Sequence, residues 1–256
     1  MKHFPTEGST AATGTFWPTE GGPSRAAWTL AEEVPVGILL NSEPVAVMMA
    51  TPCDLEALGI GFLVAEGRMP AGAATGVLVL PTETGLCVDV AAPGVAPGPA
   101  PRTLEGRSGC GLCGMTALTD VRRPAPHRVR PPLDPAAVAR AFDALRDRQP
   151  MRAVNRSVHA AAFCDAEGEI VAVHEDVGRH TALDKLIGGL VLAGRDASEG
   201  FAVLSSRCSF ELVQKSAIAG LGGLATLSAP TALALDVARD AGLPLAFRAR
   251  DGIVTF

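Results

Sequence analysis

The chain has 256 residues, 48% of them apolar and 19% charged, enough to bury a sizeable core as one large domain or two small ones. A formal net charge of −5 argues against a general nucleic-acid binder, and no apolar run reaches the length of a membrane span. The first 25 residues lack the charged-then-apolar pattern of an export signal, so a cytoplasmic protein with reduced thiols is expected.

Residues 1–27 are rich in Gly, Thr, Ser and Pro and predict a loosely held arm. PVGILL and PVAVMMA, separated by NSE, read as a hairpin. CDLEALGIGFLVAEG has apolar residues at helical spacing (Leu55, Leu58, Phe62 and Val64), with Asp54 near the N-cap and Gly67 as the stop. GVLVLP and GLCVDVAA suggest a second hairpin, which closes a β-rich part over residues 28–100. Pro and Gly then dominate; residues 101–130 read as a mobile loop whose length suits function better than mere connection.

DPAAVARAFDALRD is a helix with Asp134 as N-cap and Pro135 in its first turn. SVHAAAFCD and EIVAVHED look like paired strands. From EIVAV onward strands alternate with helices to LPLAFR, so residues 131–256 predict an α/β domain with a largely parallel sheet.

Ligands of such sheets collect beyond the carboxyl ends of the strands, where the next helices offer free N–H groups to anions. Three junctions fall there: HEDVGRH (174–180), SSRCS (205–209) and SAPT (228–231). Arg179, His180, Ser205, Ser206, Arg207, Ser228 and Thr231 together would make a rim for a phosphate-bearing ligand, although a single Ser or Thr at a helix start is more often just a cap. In HEDVGRH, His174 and His180 are six apart, which is not the i, i+4 spacing of a helical zinc site. Asp176 or Glu175 accepting a ligand hydroxyl, and His180 capping a helix, are the better expectations.

Of six cysteines, Cys53, Cys87, Cys164 and Cys208 stand alone and read as ordinary buried or half-buried thiols. Cys110 and Cys113 form a CxxC inside RSGCGLCG. A structural zinc site needs four ligands and this pair supplies two, so no metal is expected. A thioredoxin-type pair follows a strand and opens a helix, whereas this one sits among glycines after a Pro-rich run. A thiolate on such a loop suits a sulfur carrier that takes a persulfide and delivers its terminal sulfur, with Arg107 favouring the anion. The residues leave this reading and thiol redox chemistry both open.

RSGCGLCG, HAAAF, HEDVGRHTALDKLIG, SSRCSFELVQKSAIAG and SAPTALALDVARDAGLPL, in this order, resemble the FdhD/NarQ family of formate dehydrogenase accessory sulfurtransferases. EEVPVGILLN and the stretch from PVAVMMA to LVAEG are similar to the family's N-terminal part, so the likeness covers roughly residues 32–252. The resemblance implies a cytidine deaminase-like α/β core, a homodimer, and a sulfurtransferase that accepts sulfur from a cysteine desulfurase as a cysteine persulfide. It implies delivery to the molybdenum or tungsten bis(molybdopterin guanine dinucleotide) cofactor of formate dehydrogenase, with GDP or GMP as partial mimics. The persulfide-bearing cysteine corresponds to Cys110 and its companion to Cys113. The family's cofactor-binding stretch corresponds to Phe247, Arg248, Ala249, Arg250, Asp251 and Gly252. A non-catalytic cofactor chaperone and a thiol–disulfide regulator are the rival readings.

Overall fold

Alternating apolar residues in VPVGILL and a two-residue turn shape the first large hairpin. A computed structural model of the chain describes residues 8–96 and 125–256. Strand β3 (Val34–Leu40) and β4 (Glu43–Ala50) pair antiparallel, and Asn41 and Ser42 take φ of 53° and 67°, the turn that matches strand twist. β5 (Gly76–Pro81) and β6 (Leu86–Ala91) form the second expected hairpin, and β6 runs parallel to β3. The four-stranded sheet has the order β4-β3-β6-β5. Val36, Ile38, Leu40, Val88 and Val90 point inward from it and are fully buried.

Residues 1–27 predict an arm, yet Ser9–Phe16 (β1) and Ser24–Ala31 (β2) pair in register as an antiparallel hairpin. Thr and Trp fit the pleated backbone well, and Gly21 at φ 98° lets the chain reverse, so local pairing overrides the small-residue composition. The hairpin is fastened at its base, where Glu32 N donates to Gly8 O (2.9 Å) and Asn155 Nδ2 to Ser9 Oγ (3.0 Å).

Helix α1 (Leu55–Ala65) is apolar nearly all round because it lies between this sheet and α4 (Arg179–Leu192). The two helices touch backbone to backbone at Gly61 and Gly188. Asp54 does not cap α1. Its φ of 50° turns the carboxylate away from the helix N–H groups, and its Oδ2 lies 2.9 Å from His174 Nδ1 instead.

The larger sheet has the order β12-β11-β10-β9-β7-β8. β7 (His159–Cys164) and β8 (Ile170–Asp176) are the expected strand pair. β9 (Phe201–Leu204), β10 (Leu224–Thr226) and β11 (Leu245–Ala249) then follow, alternating with α5 (Phe210–Ile218) and α6 (Ala232–Ala241). β8 to β11 run in one direction, as the alternation implies, except that β7 lies between β8 and β9 and opposes both. β12 (Gly252–Thr255) folds back antiparallel on β11 and, with the short α3 (Pro150–Asn155), was not signalled by periodicity.

Helix α2 (Pro135–Leu145) covers one face of this sheet, and Asp134 caps it by accepting from Ala136 N and Ala137 N. The other face joins α4, α5, α6, α1 and the four-stranded sheet in one continuous apolar cluster. The boundary expected near residue 100 therefore separates two sheets but not two cores. Each fully buried aliphatic side chain here contributes about 2 kcal/mol.

Candidate ligand-binding rim

The carboxyl ends of β8, β9, β10 and β11 lie along one edge of the six-stranded sheet, which brings the three predicted junctions together. β7 starts at the same edge, because it runs the opposite way, and so adds His159. The turn between β11 and β12 adds exposed Arg250 and Asp251. Helices α4 and α5 begin here with Gly178 and Ser209 as N-caps, and neither cap residue has a side chain bonded to the helix N–H groups. Those donors are oriented toward the rim and favour an anion. Arg207 is exposed beside them.

Several predicted ligand contacts are engaged within the fold. Asp176 is fully buried: its Oδ2 meets Lys185 Nζ at 2.6 Å and accepts from Thr51 N at 3.0 Å. Its Oδ1 accepts from Gly178 N at 2.8 Å and from the Thr181 hydroxyl. With both oxygens doubly occupied, Asp176 locks the turn into α4 rather than reaching for a ligand. Glu175, on the opposite face of β8, accepts from Met151 N (2.7 Å) and Arg152 N (2.9 Å) and so caps α3. Burial raises its pKa against the pull of those two donors.

The histidines of HEDVGRH diverge. His174 points along α4 to Gly189 and Asp54, away from the rim, and its hydrogen bond holds the Asp54 carboxyl below the usual carboxylate range. His180 does not cap α4; it is the second residue of the helix, and its Nε2 is buried with no hydrogen-bond partner among the described residues. Burial, with Arg179 and Lys215 nearby, pushes its pKa down to about 3, so the ring is neutral. One turn further, Lys215 Nζ joins Asp184 (2.7 Å) and Glu66 (3.0 Å) in a buried triad that links α5, α4 and the end of α1.

Ser205 Oγ accepts from Ala160 N (2.8 Å), the Ser206 hydroxyl donates to Arg207 O (3.2 Å), and Thr231 caps α6 by accepting from Ala234 N (3.2 Å). The cap reading of these hydroxyls thus holds for Thr231, and Ser205 pins two strand ends together. In the tail, Phe247 stacks on Phe256 with centroids 6.2 Å apart. Arg248 turns to the α2 face, 2.6 Å from Asp143, apart from the α4–α6 side where Arg179 and Thr231 stand. Ala249 and Gly252 close the turn that carries Arg250 and Asp251. Cys110 and Cys113 lie outside the described residues.

HAAAF, HEDVGRH, SSRCS and SAPT thus meet at one edge of the six-stranded sheet. The FdhD/NarQ family model matches residues 31–255. The chain belongs to the FdhD/NarQ family. The sulfur carrier protein FdhD of Xanthomonas euvesicatoria pv. vesicatoria is 46% identical over 230 residues, 87% of this chain and 81% of that protein. The sulfur carrier protein FdhD of Chromobacterium violaceum is 43% identical over 246 residues, 92% of this chain and 91% of its own. Among solved structures, a protein from Desulfotalea psychrophila described as a formate dehydrogenase accessory protein superposes with a TM-score of 0.73. That pair is 24% identical, covering 97% of this chain and 96% of the other, and shares the α/β fold.

Sequence reasoning missed Lys185, and it missed His159 at the rim. Lys185 lies on a helix face that reads as solvated, and only the tertiary fold buries it against Asp176. His159 heads HAAAF, one of the FdhD/NarQ-like strings, but a lone His before an apolar strand carries no chemical signal of its own.

Proposed function

We propose that this chain is a sulfur carrier that serves formate dehydrogenase. Support comes from relatives named sulfur carrier protein FdhD, of which it covers four-fifths or more. The observation that carries the reading is the rim itself: uncapped N-termini of α4 and α5 stand beside exposed Arg207 and Arg250 at one sheet edge. A guanine dinucleotide with its phosphates suits such an edge, and the client cofactor of formate dehydrogenase carries two of them. The rim fits the phosphates of that cargo, with Arg207, Arg250 and the helix N–H groups holding charge.

In this reading the Cys110 thiolate attacks the outer sulfur of a cysteine desulfurase persulfide, and the donor cysteine leaves as a thiolate. Cys110 then bears the persulfide and presents its outer sulfur to the molybdenum or tungsten centre of the held cofactor. Glycines on both sides of the pair remove the bulk that would block two large partners.

Incubation with a cysteine desulfurase and cysteine, followed by intact mass measurement, tests the carrier role. The expected gain is about 32 Da, one sulfur, on Cys110, reversed by reductant and absent in Cys110→Ala. No adduct with an active desulfurase overturns it. Cys110→Ala is expected to retain GDP binding and to fail in activating formate dehydrogenase; full activation by this variant would leave a chaperone role instead.

A further inference from the structure

The four-stranded sheet has two faces, and among the described residues only one of them is covered. Val36, Ile38, Val88 and Val90 are buried on the α1 side, so the alternate residues of β4-β3-β6-β5 face outward. The register sets Val47, Gly37, Cys87 and Leu80 in one row across all four strands. Met49, opposite Pro35, lies on one side of that row, and Leu78, opposite Asp89, on the other. Val47 is 63% exposed, Leu78 55%, and Met49 and Leu80 45% each. These large apolar side chains stand in water on one surface, where a solvated sheet face ordinarily carries polar residues.

Free charge is missing from these outward rows. Asp89 is their one ionic side chain among the described residues, and it is tied to the β3–β4 turn. Its Oδ1 accepts from Ser42 N at 2.9 Å and its Oδ2 from the Ser42 hydroxyl at 2.8 Å. A foreign partner is selected largely by complementary charge, which this face does not offer, whereas contacts between copies of one chain are the more apolar class. Shape points the same way. Gly37 has no side chain and Cys87 beside it is small, so the middle of the row is low. Ridges rise on either side, Val47 with Met49 on β4 and Leu78 with Leu80 on β5. One face therefore supplies both the ridge and the trough that a two-fold contact needs. Four strands about 4.8 Å apart and about 20 Å long give two such faces a contact on the order of 1,000 Å², enough for a specific interface.

We propose that the outer face of the four-stranded sheet is the contact surface for a second copy of this chain, the two sheets packing face to face about a two-fold axis near Gly37 and Cys87. Sheets stacked in this way lie about 10 Å apart, with their strands within about 30° of alignment. Val47 and Met49 of one copy then fill the trough over Gly37 and Cys87 of the other, and symmetry repeats the contact. Half-buried Cys87 faces its own counterpart across the axis. Helices α1 and α4 separate this face from the six-stranded sheet, so the contact takes no residue from the rim.

Sedimentation velocity of the full chain at about 50 µM under reducing conditions is expected to show a dimer. Val47→Lys with Leu80→Lys sets like charges against one another across the contact and should weaken dimerisation by about a hundredfold or more. Both positions are exposed in the single chain, so the circular dichroism spectrum should stay native. Phe16→Lys, on the exposed apolar side of the β1–β2 hairpin, should leave the dimer intact. A short bismaleimide added to the wild-type dimer should join Cys87 of one copy to Cys87 of the other, identified as a linked peptide pair after digestion. A monomer at this concentration, a dimer that survives the double variant unchanged, or a dimer dissociated by Phe16→Lys overturns the proposal. So does a dimer without the Cys87–Cys87 link, which places the contact on another face. That arm uses the unaltered chain and decides the matter even where the double variant misfolds.

Discussion

Lys185 is among the largest side chains with no exposed surface, and its ammonium lies between Asp176 Oδ2 (2.6 Å), Thr51 O (3.0 Å) and Cys53 Sγ (3.6 Å). Removing one member of a buried pair strands the other, so Lys185→Met is expected to destabilise by about 3–5 kcal/mol, read from the urea midpoint. Adding Asp176→Asn should recover much of that loss. Beside it Cys53 stays a thiol, because burial raises its pKa more than Lys185 lowers it. Cys164 and Cys208 are pushed up to about 12 and about 11, chiefly by burial. Both are expected to resist iodoacetamide at pH 8 until the protein is unfolded, which peptide mapping will show. His180 has its pKa lowered to about 3 from an unfolded value of 6.5, so the unfolded chain binds the extra proton between these limits. Stability from the neutral ring is full above pH 6.5 and is lost as pH falls toward 3. Asp184, raised to about 6 mainly by burial, acts in the opposite sense, so the comparison is made against a variant. His180→Gln should lose about 2 kcal/mol less than the wild type between pH 7 and pH 5, in paired denaturant titrations.

Helices α1 and α4 meet through glycine. A Cβ on Gly61 would run into the Asp184 carbonyl, and one on Gly188 into the Ala57 carbonyl. Either Gly→Ala change must push the helices apart and loosen the joint between the two sheets, at about 3 kcal/mol by thermal or urea unfolding. The same substitution on an open helix face would stabilise, so the sign is diagnostic. The hairpin β1–β2 gives the contrary case, an element held by its own ladder, two bonds at its base and the packing of β2 against the short α3. It carries both tryptophans of the chain, Trp17 at 72% and Trp28 at 50% exposed, and there is no tyrosine. Intrinsic fluorescence should therefore resemble that of tryptophan in water and change little when the core unfolds, while circular dichroism reports the full transition.

At the scale of the molecule, one apolar cluster runs from Val36 and Val88 through Leu58 and Leu186 to Leu204 and Leu224. Because both sheets share α1 and α4, unfolding is expected as a single transition, with the same midpoint by circular dichroism and by thiol accessibility of Cys208. The rim exists only at this scale, since it is assembled from strand ends that are far apart in the chain. HEDVGRH, SSRCS and SAPT were legible as strand-to-helix junctions, and their gathering on one edge followed from the alternation of strands and helices. The partners of Asp176, Ser205 and Thr231 were not legible. A hydroxyl or carboxylate at a helix start looks the same whether it faces a ligand or its own backbone. β12 and α3, at four and six residues, were too short to show a period.

By itself the sequence determined the α/β class, the β3–β4 and β5–β6 hairpins, the Asp134 cap, the order of strands and helices from β7 to β11, and the family. These rest on local signals: alternation, 3.6-residue spacing, turn residues and motif strings. Tertiary structure alone decided that β7 lies between β8 and β9, that two glycines let α1 press on α4, and that Asp176 faces Lys185. Burial and pairing depend on what a distant segment brings within a few ångströms, and spacing along the chain does not encode that.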